Sequence, residues 1–338
     1  MNSSNAITAP VLLIVIFVMI ILFQSVFLKS PNVVIENTGE IIGESINNSD
    51  DDFIMHNGVK YYPDRILLLM IIAYICSFLL PAVFYVKLKR IDWFRNLKLV
   101  LPSVRLIPFS LYMFFILILG TVLLDYLFFS ISGEEFIFPK IDTGGNIVFN
   151  LGVFLSFIFI PAACEELVFR SVLISEYGNY GLFCSILMTS AAFAMSKFSL
   201  QLFSVYFFAS IIFFISVKIA NSILIPVILH TGYSFFNIYI EDNLMSVLKF
   251  EQNRFIFLFV LFILFILFIC LSLSTLEEYY YRKAYKNDPS PVDDDMSENQ
   301  GLISNFSKTF MSPSFIIAII IFFVYIIYSI ISEAEYLF

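Results

Sequence analysis

The sequence is short of the residues that most soluble active sites draw on. Among 338 residues there are only two histidines, His56 and His230. A zinc site built on two or three histidines is nearly excluded by that count. The four cysteines, Cys76, Cys164, Cys184 and Cys270, fall in apolar stretches with no paired spacing. They read as packing residues rather than a disulfide frame or a metal clip. Charge is scarce as well, at 14% of residues, and the net charge of −8 gathers in loops. No basic footprint for a phosphate backbone is present, so nucleic acid is not expected as a partner. The Asp50-Asp51-Asp52 and Asp293-Asp294-Asp295 runs lack the glycine spacing of a calcium loop and read as solvated faces. No soluble catalytic domain is visible. No internal repeat is visible either, and one ionisable cluster lies along the apolar stretches, which weighs against a transporter.

Apolar residues are abundant instead: 60% of the chain, with 42 Phe and a mean hydropathy of +0.91. No soluble domain of this size hides that much apolar surface. The expectation is an all-α polytopic membrane protein with roughly nine transmembrane helices. Residues 1–28 read as an N-terminal transmembrane anchor, and 29–64 as an acidic extracytoplasmic loop containing His56. Residues 65–144 hold transmembrane helices around a basic loop, Lys87 to Arg105, which the positive-inside rule puts in the cytoplasm. Residues 145–240 form a core, with one long helix over about 145–172 and a break at Gly178-Asn179. Residues 241–338 add two helices around a polar, cytoplasmic segment, 276–312.

The core carries the chemistry. Pro161-Ala-Ala-Cys-Glu165-Glu166-Leu-Val-Phe169-Arg170 puts two carboxylates and a guanidinium at the end of an apolar run. Ionisable groups at membrane depth are expensive and mark a functional site by default. On a helix, Glu166 and Arg170 share a face in the favourable acid-then-base order. Glu165 points about 100° away, so the two acids cannot use that arginine equally. One carboxylate reads as paired and structural, the other as free for chemistry. Further on, Phe193 and Lys197 lie four apart, and His230, Ser234 and Asn237 follow one helical face. Asn221 and Pro226 predict a broken or re-entrant start to that last helix.

Glu165-Glu166-x-x-x-Arg170, then Phe193-x-x-x-Lys197, then His230, resembles the CAAX-protease and bacteriocin-processing (Abi, or CPBP) family of intramembrane peptidases. That family's pattern is EExxxR, then FxxxH, then HxxxN or HxxxD. The resemblance covers about 145–240, and the steps of 32 residues from Glu165 to Lys197 and 33 to His230 suit it. It implies a helical fold around a cavity open to the cytoplasm and to lipid. Separately, the long amino-terminal anchor without an organelle retention signal points to a bacterial plasma membrane. Glu165 would be the general base for a water, His230 an oxyanion donor, Glu166 and Arg170 an orienting pair, and Phe193 a shaping residue. Burial in an apolar pocket suits a carboxyl group to such a base. The substrate would be a membrane-associated peptide or protein, in contact with the lipid bilayer.

The sequence departs from the pattern twice. Lys197 stands where the family has histidine, and Ser234 where it has Asn or Asp, with Asn237 a turn further on. An ammonium beside Glu165 would hold it as a carboxylate and weaken it as a base. A desolvated lysine could instead serve as base itself. Ser196 adjoins Lys197, but neighbours on a helix point apart, so the two make no dyad. The resemblance allows a divalent metal, but carboxylates and one histidine support it poorly, and no cofactor is expected. The alternative reading is a catalytically degenerate relative acting as a scaffold or regulatory partner of other membrane proteins.

Overall fold

Backbone amides in hydrocarbon find no water, so long apolar stretches satisfy them by folding as helices. The computed structural model describes residues 4–28, 54–56, 59–61, 63–90, 100–132, 147–240, 244, 254–285, 307 and 309–337. Nine helices and one short hairpin lie among them. Helix α1 is Ser4–Leu28, and strands β1 (Ile54–His56) and β2 (Val59–Tyr61) pair antiparallel. Helix α2 runs from Pro63–Tyr74 through a π-helical turn, Ile75–Leu79, into Leu80–Lys89. Helix α3 is Ile107–Ser132. Helix α4 joins Ile147–Val153, a π turn at Phe154–Phe159, Ile160–Glu166, a second π turn at Leu167–Leu173, and Ile174–Tyr177. Then come α5 (Leu182–Ser196), α6 (Phe203–Ala220), α7 (Leu224–Tyr239), α8 (Arg254–Tyr285) and α9 (Pro313–Leu337).

The chain is thus an all-α polytopic membrane protein apart from its hairpin. Six helices are long and apolar enough to cross a membrane, and α1 and α5 carry the shorter apolar stretches Ala9–Ser25 and Leu182–Ser196. Each of the nine apolar segments read from the sequence corresponds to one helix. Half of the α3 and α4 spans is buried inside the protein, against 11% for α8. The interior is therefore built on α3 and α4, and α8 lies at the rim. Helix α7 packs against both α3 and α4, and α6 against α3, α5 and α7. On another side α1 pairs with α9, and both touch α5.

Three details differ from the sequence reading. His56 ends a strand rather than lying in a loop; the residues joining β1 and β2, Asn57-Gly58, are a strong two-residue hairpin signal that the acidic composition around them obscured. Helix α4 continues past Val172 to Tyr177, because Glu176 is buried with Lys89 Nζ 3.9 Å from it instead of marking a polar end. Pro226 does not break its helix: it is the third residue of α7, in the first turn, where the missing N–H has no intrahelical partner to lose. Asn221, read as the entry to that helix, instead closes α6 in the left-handed region, and α7 starts at Leu224. Of the cysteines, Cys164 and Cys184 are buried, whereas Cys270 is exposed. The two aspartate runs, Glu134, Glu135, Arg95 and Lys98 lie outside the described residues.

Close helix approach in the interior depends on missing side chains. A Cβ at Gly120 of α3 would stand 2.4 Å from the Phe208 ring of α6 and 3.0 Å from the Phe265 ring of α8. Overpacking of this kind typically costs about 1–3 kcal/mol. Gly120→Val is expected to destabilise within that range, read by thermal unfolding in detergent; an unchanged midpoint would contradict the packing described.

Candidate active site

Three elements converge on the motif residues. Helix α4 presents Glu165 and Glu166 at the last turn before its second π segment, and Arg170 from within that segment. Pro161 opens this stretch, directly after the first π turn. Widened turns of this sort recur at functional sites. Helix α5 ends at Ser196, and Lys197 is its C-terminal cap. Fifteen residues rise only about 22 Å, short of the about 30 Å hydrocarbon core, so α5 alone does not carry Lys197 across a bilayer. A cation there also complements the negative end of the helix dipole. Helix α7 brings His230 and, on the same face, Asn237.

The two carboxylates separate as their positions on the helix require. Glu166 is fully buried, with Arg170 Nε 2.9 Å from its Oε2 and His230 Nδ1 2.9 Å from its Oε1. The guanidinium donates onward to Ser210 Oγ of α6 at 3.0 Å and lies 4.6 Å over the Phe193 ring and 5.2 Å over that of Phe213. Cation–π contacts are strongest when desolvated in this way. Glu165 receives Lys197 Nζ at 2.6 Å on both of its oxygens. The Lys197 side chain is 19% exposed, against 1% for Glu165, so the ammonium is the wetter end of the pair.

His230 sits between the acids. A carboxylate only accepts, so the Nδ1 facing Glu166 carries a hydrogen; in the neutral ring that leaves the lone pair on Nε2. Nε2 lies 3.8 Å from Glu165 Oε2, too far for a direct hydrogen bond. The ring stacks on Phe213 at 5.0 Å and meets Phe193 edge-on at 5.6 Å. With His230 neutral, two carboxylates face one guanidinium and one ammonium, and the cluster is balanced. It contains a carboxylate able to take a proton and an ammonium able to donate to an oxyanion.

The structure thus brings together Glu165, Glu166, Arg170, Phe193, Lys197 and His230. Ser234 and Asn237 share the His230 face of α7 but make no hydrogen bond to the cluster; the buried Asn237 Oδ1 has no partner among the described residues. Ser196 turns its hydroxyl back onto Phe193 O at 2.7 Å, away from Lys197 chemistry. Ser210 and Phe213, which brace Arg170, were not legible beforehand: a serine and a phenylalanine in an apolar helix carry no signal of their own. As a metal site the donor set fits poorly. Lys197 Nζ lies against both oxygens of Glu165, and Arg170 and His230 lie against Glu166, so cations or N–H groups already sit where a metal ion would have to approach the carboxylates. Among the described residues no group of three His, Cys, Asp or Glu could hold an ion.

Residues 147–236 match the family model described as type II CAAX prenyl endopeptidase Rce1-like. No curated protein and no solved structure matches the chain. The matched segment runs from α4 to α7, includes every residue of the charged cluster, and stops one short of Asn237. The spanning helices make the chain an integral membrane protein, and the match covers about a quarter of it. The four-helix core that assembles the two glutamates, Arg170, Lys197 and His230 is therefore the part of the chain that is similar to the Rce1-like, type II CAAX prenyl endopeptidase family.

Proposed function

We propose that the protein is an intramembrane endopeptidase that hydrolyses a peptide bond of a membrane-associated substrate. One observation carries the reading: Glu165, Lys197 and His230 come from three helices to one buried point, with Lys197 the part most open to an incoming chain. Glu165 acts as the base. It takes a proton from water as the hydroxide oxygen bonds to the scissile carbonyl carbon, and the carbonyl electrons move to oxygen. The Lys197 ammonium leaves Glu165 for that oxyanion. As the C–N bond breaks, the proton held on Glu165 passes to the departing amine. His230 Nε2, at a span that a single water bridges, orients the attacking molecule, while Glu166 and Arg170 fix the ring. Asn237 offers its unpartnered oxygen to a substrate N–H about two turns along α7. No step uses a metal. The basic residues from Lys87 to Arg105 support a site approached from the cytoplasmic side, by the positive-inside rule.

The doubly held Glu165 also favours a second reading, in which Lys197 silences the base and the protein binds membrane partners without cutting them. Lys197→Met separates the two. Loss of one oxyanion donor typically lowers turnover by about 10²–10³ with substrate binding retained. That loss, measured as the rate at which new peptide termini appear in isolated membranes, is the expected result. Unchanged turnover would contradict the role given to Lys197.

A further inference from the structure

The residue after Lys197 has a conformation that its side chain does not favour. Phe198 has φ +49°, and its N–H bonds Met195 O at 3.1 Å, closing the end of α5. Helices commonly end on a left-handed residue, but that residue is usually glycine or asparagine, because a Cβ is strained there. Strain of this kind persists only where the surroundings over-determine it, and it concentrates at functional sites.

The surroundings here are aromatic, and they come from helices outside the family-matched segment. The Phe198 ring meets Phe17 of α1 edge-on at 5.0 Å and Tyr325 of α9 at 4.7 Å, and stacks on Phe322 of α9 at 6.2 Å. Phe17 and Phe322 are themselves buried. Helices α1 and α9 lie against each other, and the Tyr325 hydroxyl donates to Gln24 Oε1 of α1 at 2.6 Å, joining the two behind the ring. Two residues earlier in α5, Ser196 Oγ bonds Phe193 O, so the turn bearing Lys197 is held from both sides.

We infer that α1 and α9 form a clasp that grips Phe198 and thereby sets the Lys197 ammonium on Glu165. Phe198 is a positioning residue, acting on the candidate site through its neighbour. A shift of the α1–α9 pair, whether by a partner in the bilayer or by lipid packing, moves Lys197 and changes how firmly Glu165 is held. The catalytic consequence rests on the endopeptidase reading; the placement itself does not.

The test follows Lys197 rather than cleavage. An ammonium held between two carboxylate oxygens has no lone pair to offer, so a membrane-permeant acylating reagent modifies it slowly. In membranes containing the full chain, modification of Lys197 is measured by mass spectrometry. Phe198→Gly keeps the backbone conformation and removes the ring. It is expected to raise the rate of Lys197 modification about tenfold, as is Tyr325→Ala, a change in the middle of the range for residues in contact. Phe198→Leu serves if the glycine variant does not fold, and Phe198→Tyr is expected to stay near the natural rate. Phe268→Ala, which removes a ring from the α3–α8 contact instead, is the control for general loosening and is expected to leave Lys197 protected. Unchanged modification in the clasp variants, or an equal rise in the control, would overturn the inference. Because the measurement needs no turnover, a protein that cuts nothing would still support the clasp.

Discussion

On the endopeptidase reading, Glu165→Gln is expected to lower the rate of cleavage by about 10²–10⁴, the usual contribution of a positioned base. The amide keeps the shape of the carboxylate but cannot take a proton from water. It also removes the counter-charge of Lys197, whose ammonium lies 5.1 and 5.5 Å from the Phe193 and Tyr206 rings. The effect is chemical rather than a loss of fold. Glu165 pairs with the partly exposed Lys197, whereas the burden of holding helices together falls on Glu166 and Arg170. The measurement is the accumulation of a substrate terminus over time in membranes with equal amounts of each protein. A rate within threefold of the natural one would remove Glu165 from the chemistry.

Arg170→Leu destabilises the protein by about 3–5 kcal/mol, the range found when one partner of a buried pair is removed. Glu166 is left fully buried, with only His230 against it among the described residues. The arginine also gives up its bond to Ser210 and its place over two aromatic rings. Pairing the change with Glu166→Gln removes the uncompensated charge. The double variant is therefore expected to be more stable than the sum of the single losses, by about 0.5–3 kcal/mol. Thermal unfolding in detergent reads both effects. Simple additivity would mean that the pair is not coupled, and that the cluster is less tightly built than its 2.9 Å contacts indicate.

Much of this site could be read in advance, because the bilayer makes charge conspicuous. In a chain with few charges, Glu165, Glu166 and Arg170 at the end of an apolar run needed no structure to be singled out. The 3.6-residue period also separated the two acids and paired Arg170 with Glu166, but Glu165, the carboxylate read as free, is held by Lys197 on both oxygens. The apolar segments located the helices for the same reason. The misses have physical causes too. Pro226 looks like a helix breaker in sequence, but its effect depends on whether it falls in the first turn or the interior. The short hairpin before α2 is marked by two residues only, within a long acidic stretch. Ser210, Phe213 and the aromatic box around Phe198 depend on which helices meet, and an apolar helix in an apolar solvent gives no periodic sign of its neighbours. His230 was read as an oxyanion donor, but the direction of its ring, Nδ1 to Glu166, is a tertiary fact.

The most direct test of the central claim compares new peptide termini in membranes of cells carrying the natural protein, Glu165→Ala and Lys197→His. The account predicts termini present with the natural protein and lost with Glu165→Ala. The same termini persisting in Glu165→Ala, or termini appearing only with Lys197→His, would contradict it, the latter by showing that the natural protein keeps the site closed and works by binding.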